Sequence, residues 1–262
     1  FDRASGRRYI RPMQSIPYDS VVLWFLYFSV AAFLGWIAES SYRSVAEHHV
    51  VNSGFLSGPF IPVYGFGALA IAALSRAIPR DSAVLYWTAL ALSPSIVEYV
   101  TSWLFERLFG LRLWDYTEEP FNFRGRICLL YSSFWVGLTA LTVLFLEPFL
   151  LGLIASTGEK LRYYFAGSLS MYFLIDTVQS SNAIVYFKRF IADLRELAAR
   201  GGSFLPSLDN ANGRLPHEIR RLLKPLKAFP NLVHELKPTI SSIPEWITTK
   251  MESIIGGRHF RK

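Results

Sequence analysis

From residue 21 to residue 184 the chain reads as apolar runs set apart by short polar or glycine- and proline-rich interruptions. A membrane crossing needs roughly 20 mostly apolar residues. The runs 21–41, 83–105, 127–146 and 163–184 meet that length, and 60–74 approaches it. Tyr18, Trp24, Tyr86, Trp87, Trp103, Trp114 and Tyr163 fall near their ends, where amphipathic rings settle among headgroups. The pattern predicts an all-α fold, a polytopic membrane helix bundle of about five transmembrane helices. The second half of the fifth run carries Asp176, Gln179, Ser180, Ser181 and Asn182, too polar a set to face lipid. The first run is too long for a signal peptide and no cleavage site follows it.

Composition agrees with the pattern. Apolar residues make up 52% of the 262, charged residues 18%, and mean hydropathy is +0.28, a balance that favours a membrane protein over a soluble enzyme. The lone Cys128 cannot form an internal disulfide and reads as a small helix residue. Charge divides the chain. Residues 1–187 hold 13 Lys/Arg and 13 Asp/Glu, whereas 188–262 hold 14 and 7, so the whole +7 excess lies in the tail. Three parts follow: an N-terminal segment 1–19, a transmembrane bundle 20–187 and a basic tail 188–262.

Six prolines cut the tail into short pieces. Between them Leu215, Ile219, Leu222, Leu223, Leu226 and Phe229 recur at helical spacing, with Arg220, Arg221, Lys224 and Lys227 at the other positions. Such a basic amphipathic stretch suits an anionic lipid surface; a solvated helix packed on the protein's own loops has the same pattern. Nucleic acid is not an expected partner. With five crossings, the side holding the tail and the 106–126 loop carries more Lys/Arg, 19 against 8, which places the tail in the cytoplasm.

Charges inside the membrane are costly, roughly 2.5–3.5 kcal/mol each on insertion scales, and mark sites or interhelical contacts. Glu39 lies near the end of the first run and Glu98 deep in the third. Arg43 stands four residues after Glu39, on the same helix face, where the two can pair. Glu98 has no partner on its own helix, so it must find one elsewhere, stay protonated or face a polar cavity. The stretch FLSGPFIPVYGFG, 55–67, is too rich in glycine and proline for a regular helix. It predicts irregular backbone at membrane depth, which is tolerated where it is buried in protein or lines a cavity. Gly58 precedes Tyr64 by six residues, as Gly125 precedes Tyr131, a spacing that suggests a 2+2 repeat of the first four helices.

The polar, aromatic stretch WDYTEEPFNFRGR, 114–126, separates the third and fourth runs. Trp114, Asp115, Tyr116, Phe121, Arg124 and Arg126 form a candidate cap over the end of the bundle that Glu39 and Arg43 reach, with arginines on aromatic supports suited to headgroups or anions. The competing reading is a loop closed by its own salt bridges, Asp115 with Arg124 or Glu118 with Arg126. No phosphate-binding loop occurs: Gly158-Glu159-Lys160 is followed by Leu161, and Gly152 is misplaced by one residue. His48 and His49 are adjacent, poor spacing for shared metal ligation, so neither metal nor cofactor is expected.

The motifs FLGW..E..YRS, NSGFLSGPFIPVYGFG, EY.TSW..E.LFG...WDY and PFN..GRICL, in that order across about 22–150, resemble the CmpB-like family of bacterial integral membrane proteins catalogued as candidate type IV ABC transporters. The resemblance implies permease activity in the bacterial cytoplasmic membrane, a separate ATPase subunit or a second copy as partner, and no assigned catalytic residue. It touches neither the tail nor, clearly, the fifth run. Beside transport, with Glu39, Arg43, Tyr64 and Glu98 as its central site, two functions fit the residues: a non-catalytic scaffold or regulator, and an intramembrane enzyme acting on a lipid-linked or anionic substrate.

Overall fold

The computed structural model describes residues 21–199. The segment 1–19 and the tail beyond residue 199, with its amphipathic stretch at 215–229, lie outside the described residues. The order is α1 (Val21–Ala46), α2 (Pro62–Ala77), α3 (Ala83–Phe109), a two-stranded hairpin β1 (Asn122–Phe123) and β2 (Ile127–Cys128), α4 (Leu129–Leu141), a π-helical turn (Thr142–Leu146), α5 (Glu147–Ser156) and α6 (Glu159–Ala199). The protein is mostly helical, as the apolar runs predict.

Among the described residues three rods are long and apolar enough to cross a membrane: Val21–Ala46, Ala83–Phe109 and the α4–α5 rod Leu129–Ser156. The fourth run therefore continues well past residue 146. Pro148 has no N–H to give and its ring would strike the preceding turn, but the π turn directly before it widens the helix at that point. With 16 residues, α2 is only about 24 Å long. Helix α6 is ample in length but more polar, and it contains the whole fifth run before continuing past residue 188.

Helix α3 passes through Pro94 unbroken. Proline leaves the Leu90 carbonyl without its helical donor, and the Ser93 hydroxyl supplies one at 2.9 Å.

The even helices start deep. The Ile61 N–H reaches the Ala32 carbonyl at 3.0 Å, so α2 begins beside the middle of α1, and 47–61 folds into the space above it. Val51, Ser53, Leu56 and Ile61 are buried there, which protects an irregular backbone from lipid. Ser95 of α3 likewise bonds Ser132 of α4 at 3.1 Å, and 110–128 occupies the space above α4. Phe55 meets Phe105 and Phe109, with ring centroids 5.2 and 5.8 Å apart, so both irregular segments lie at one end of the bundle. At the other end Leu23, Leu26 and Tyr27 of α1 pack with Ala68, Ala72, Leu150, Leu151, Ile154 and Ala166.

Candidate functional site

Glu98 is 5% exposed in the interior of the bundle. One carboxyl oxygen accepts from the Tyr116 hydroxyl at 3.2 Å and the other from the Trp135 indole N–H at 3.0 Å. Tyr116 descends from the irregular segment above, whereas Trp135 projects from α4 two turns after its start. Tyr116 stacks on Tyr131 with centroids 4.6 Å apart, and Trp135 lies 5.2 Å from Tyr64. Burial, then the nearby Glu98 carboxyl, push the Tyr116 phenol well above its usual range, so it remains a donor at any physiological pH.

Tyr64, in the first turn of α2, is within hydrogen-bonding reach of the half-buried Glu39. Glu39 and Glu98 lie close enough to interact electrostatically. The structure thus brings Glu39, Tyr64 and Glu98 into one cluster with Tyr116, Tyr131 and Trp135. Arg43 forms its 2.9 Å ion pair with Glu47, one turn further on, while its charge also acts on Glu39.

A close helix approach positions Tyr64. A Cβ on Gly35 would overlap the Tyr64 side chain, so the absence of a side chain at 35 is what admits the ring. Gly35→Ala is expected to lower stability by about 1–3 kcal/mol and to turn Tyr64 away from Glu39. Thermal unfolding in detergent checks it: Gly35→Ala should be much milder in a Tyr64→Ala background, since the collision is then gone.

The irregular segment 55–61 is held from the side by α6. The Ser57 and Gly58 N–H groups donate to the two oxygens of Asp176, each at 2.9 Å, and Ser180 donates to the same carboxylate at 3.1 Å. A Cβ on Gly58 would come within 3.0 Å of the Asp176 oxygen and collide with Tyr172. Asp176 and Ser180 are buried, whereas Leu174, Ile175 and Val178 of α6 are exposed. Asp176 and Ser180, two of the five polar residues of the fifth run, thus serve as a clasp on broken backbone, whereas Gln179 and Asn182 are exposed.

The segment 110–128 is tied mainly to itself and to α3. Arg126 pairs with Glu106 at 2.6 Å and lies over the Tyr99 ring, and its carbonyl accepts from the Trp114 indole at 2.8 Å. Asp115 takes the Thr117 N–H and hydroxyl and pairs with Arg112 at 3.5 Å, while Arg112 also reaches Glu106. The loop is closed by salt bridges, but the partners are Arg112 and Glu106, not the pairings Asp115 with Arg124 and Glu118 with Arg126. Trp114, Asp115, Tyr116 and Arg126 are all engaged within the fold; Arg124 is exposed.

Two groups escaped the sequence reading. Trp135 gave a signal, an indole in mid-run and not at an end. Glu147 forms a 2.6 Å ion pair with Arg76 at the far end of the bundle, and Arg76 also lies 4.7 Å from the Trp24 ring. Ending the fourth run at residue 146 hid this pair, although Arg76 and Glu147 stand at corresponding ends of two apolar runs.

No curated protein and no solved structure gives a match. The family model described as "Putative ABC-transporter type IV" matches residues 26–181, extending beyond the resembling motifs to include Asp176 and Ser180 on α6. Spanning α1 to the middle of α6 and more than half of the chain, this match makes the protein a member of that family.

Proposed function

We propose that the chain is the permease-like membrane component of a transport system in the bacterial cytoplasmic membrane, with Glu39, Arg43, Tyr64 and Glu98 as its translocation or coupling site. The observation that carries this reading is Glu98. Among the described residues its oxygens accept from uncharged donors, and the charge that acts on it is another carboxyl, Glu39. An acid retained purely as interhelical glue is expected to face a cation or to be replaceable by a neutral polar residue. Glu98 instead leaves negative charge for a proton or a small cation to neutralise. In this reading ATP hydrolysis is the work of an ATPase subunit that associates with this membrane part.

In this reading α2 and α6 also cross, giving five crossings, and the irregular end faces the cytoplasm with the basic tail. The 2+2 repeat is supported by form: α2 and α4 both begin deep beside the preceding helix, below irregular segments at one end, and each preceding helix carries a glutamate close to a tyrosine. Cysteines placed at positions 120 and 210 should both be labelled from the cytoplasmic side in intact and opened vesicles. Labelling from opposite sides would remove the fifth crossing. Affinity purification in mild detergent should bring down an ATPase; a stable large partner with no ATPase would favour a scaffold.

A further inference from the structure

The hairpin tip presents two large aromatics outward. Phe121 is 83% exposed and Phe123 56%, and Arg124 carries its guanidinium 5.7 Å from the Phe123 ring. The backbone that presents them is unusual: Phe121 and Arg124 have φ of 53° and 55°, a left-handed conformation that bulky residues rarely adopt. Asn122 holds it, donating to the Thr117 and Glu119 carbonyls at 3.0 and 2.9 Å and accepting from the Gly125 N–H at 3.1 Å. The fold therefore maintains a costly turn whose product is an exposed pair of phenyl rings beside an arginine.

The level of this tip identifies what covers it. Phe123 packs on Tyr99 of α3, with centroids 5.6 Å apart. Tyr99 lies eight residues before the exposed Arg107, about 12 Å deeper along the helix axis. The neighbouring outward residues, Val100 and Trp103 of α3 and Leu129 and Leu130 of α4, are exposed apolar side chains of two membrane-crossing rods. The tip thus continues the lipid-facing surface about 12 Å below the last charge of α3. Rings at this depth suit the boundary between headgroups and acyl chains, and an arginine beside them can reach a phosphate.

We propose that Phe121 and Phe123 insert into the headgroup boundary of the bilayer while Arg124 binds the phosphate of an anionic lipid, anchoring the cap through its hairpin. This goes beyond the transport reading and does not depend on Glu98. It also separates Arg124 from Arg126, which the fold commits to Glu106.

The test uses the full chain in vesicles of phosphatidylcholine, alone or mixed equally with phosphatidylglycerol. A Cys128→Ala background removes the buried thiol, and an environment-sensitive fluorophore is attached at Phe121→Cys or, as a control on the same loop, at the exposed Glu118→Cys. The label at 121 should be quenched strongly by lipids spin-labelled near the headgroup and weakly by aqueous iodide, and the label at 118 the reverse. The anionic lipid should deepen the signal at 121, and Arg124→Gln should abolish that difference while leaving the lipid quenching. Iodide quenching at 121 equal to that at 118 would overturn insertion and point to a soluble partner. An anionic-lipid effect that survives Arg124→Gln would overturn the phosphate contact.

Discussion

Glu98→Gln is expected to yield a folded, membrane-inserted protein that fails to restore the phenotype lost when the chain is deleted. Glutamine can keep the local geometry: its oxygen accepts from the Trp135 N–H, and its NH2 donates to a Tyr116 hydroxyl that rotates to accept. What it cannot do is exchange a proton or neutralise a cation. Glu98→Leu differs in kind, because it leaves the Trp135 and Tyr116 donors buried without an acceptor, a cost of about 2–5 kcal/mol. Complementation together with thermal unfolding in detergent separates these effects. Full activity in Glu98→Gln combined with misfolding in Glu98→Leu would reduce Glu98 to a packing residue.

The second large effect lies at the clasp. Asp176→Ala removes the acceptor of the Gly58 N–H and one of two acceptors of the Ser57 N–H. Charge-assisted bonds to buried amides are strong, and an orphaned amide carries its full desolvation penalty. The expected loss is about 2–4 kcal/mol, read as a lower unfolding midpoint in detergent. Ser180→Ala should cost about 1 kcal/mol or less, because Asp176 remains in place. A second readout is local: a cysteine at position 57 should become reactive in Asp176→Ala well below the unfolding midpoint. Equal stability of the two variants would mean that α6 does not hold the segment.

The two effects show where sequence was sufficient. An acid in an apolar run is visible without coordinates, because hydrocarbon offers it no solvation, and so the buried Glu98 and the half-buried Glu39 were legible. The proline- and glycine-rich 55–67 stretch was equally plain as broken backbone. Its holder was not, because Asp176 lies 118 residues from Gly58 and registers in the sequence only as unwelcome polarity. The same holds for Trp135, 37 residues from Glu98. Ion pairs were the least legible feature. Arg126 has four acids within the preceding loop and helix end, Glu106, Asp115, Glu118 and Glu119, and spacing alone does not choose among them. The fold chooses Glu106 because α4 begins beside the middle of α3, which leaves Arg126, just before α4, alongside the last turns of α3. The extent of the fourth rod was misjudged for a related reason: Glu147 and Pro148 look like an ending until Arg76 and the π turn are seen.

We propose that an acid inside the membrane couples this chain to the work of an ATPase. ATP hydrolysis by the complex purified in mild detergent and returned to lipid tests it most directly, measured for the wild type and for Glu98→Gln. The ATPase is expected to co-purify with both proteins, the wild-type chain to stimulate hydrolysis above the rate of the isolated ATPase, and Glu98→Gln to retain binding but lose the stimulation. Stimulation undiminished in Glu98→Gln, or no ATPase bound to either protein, would contradict it.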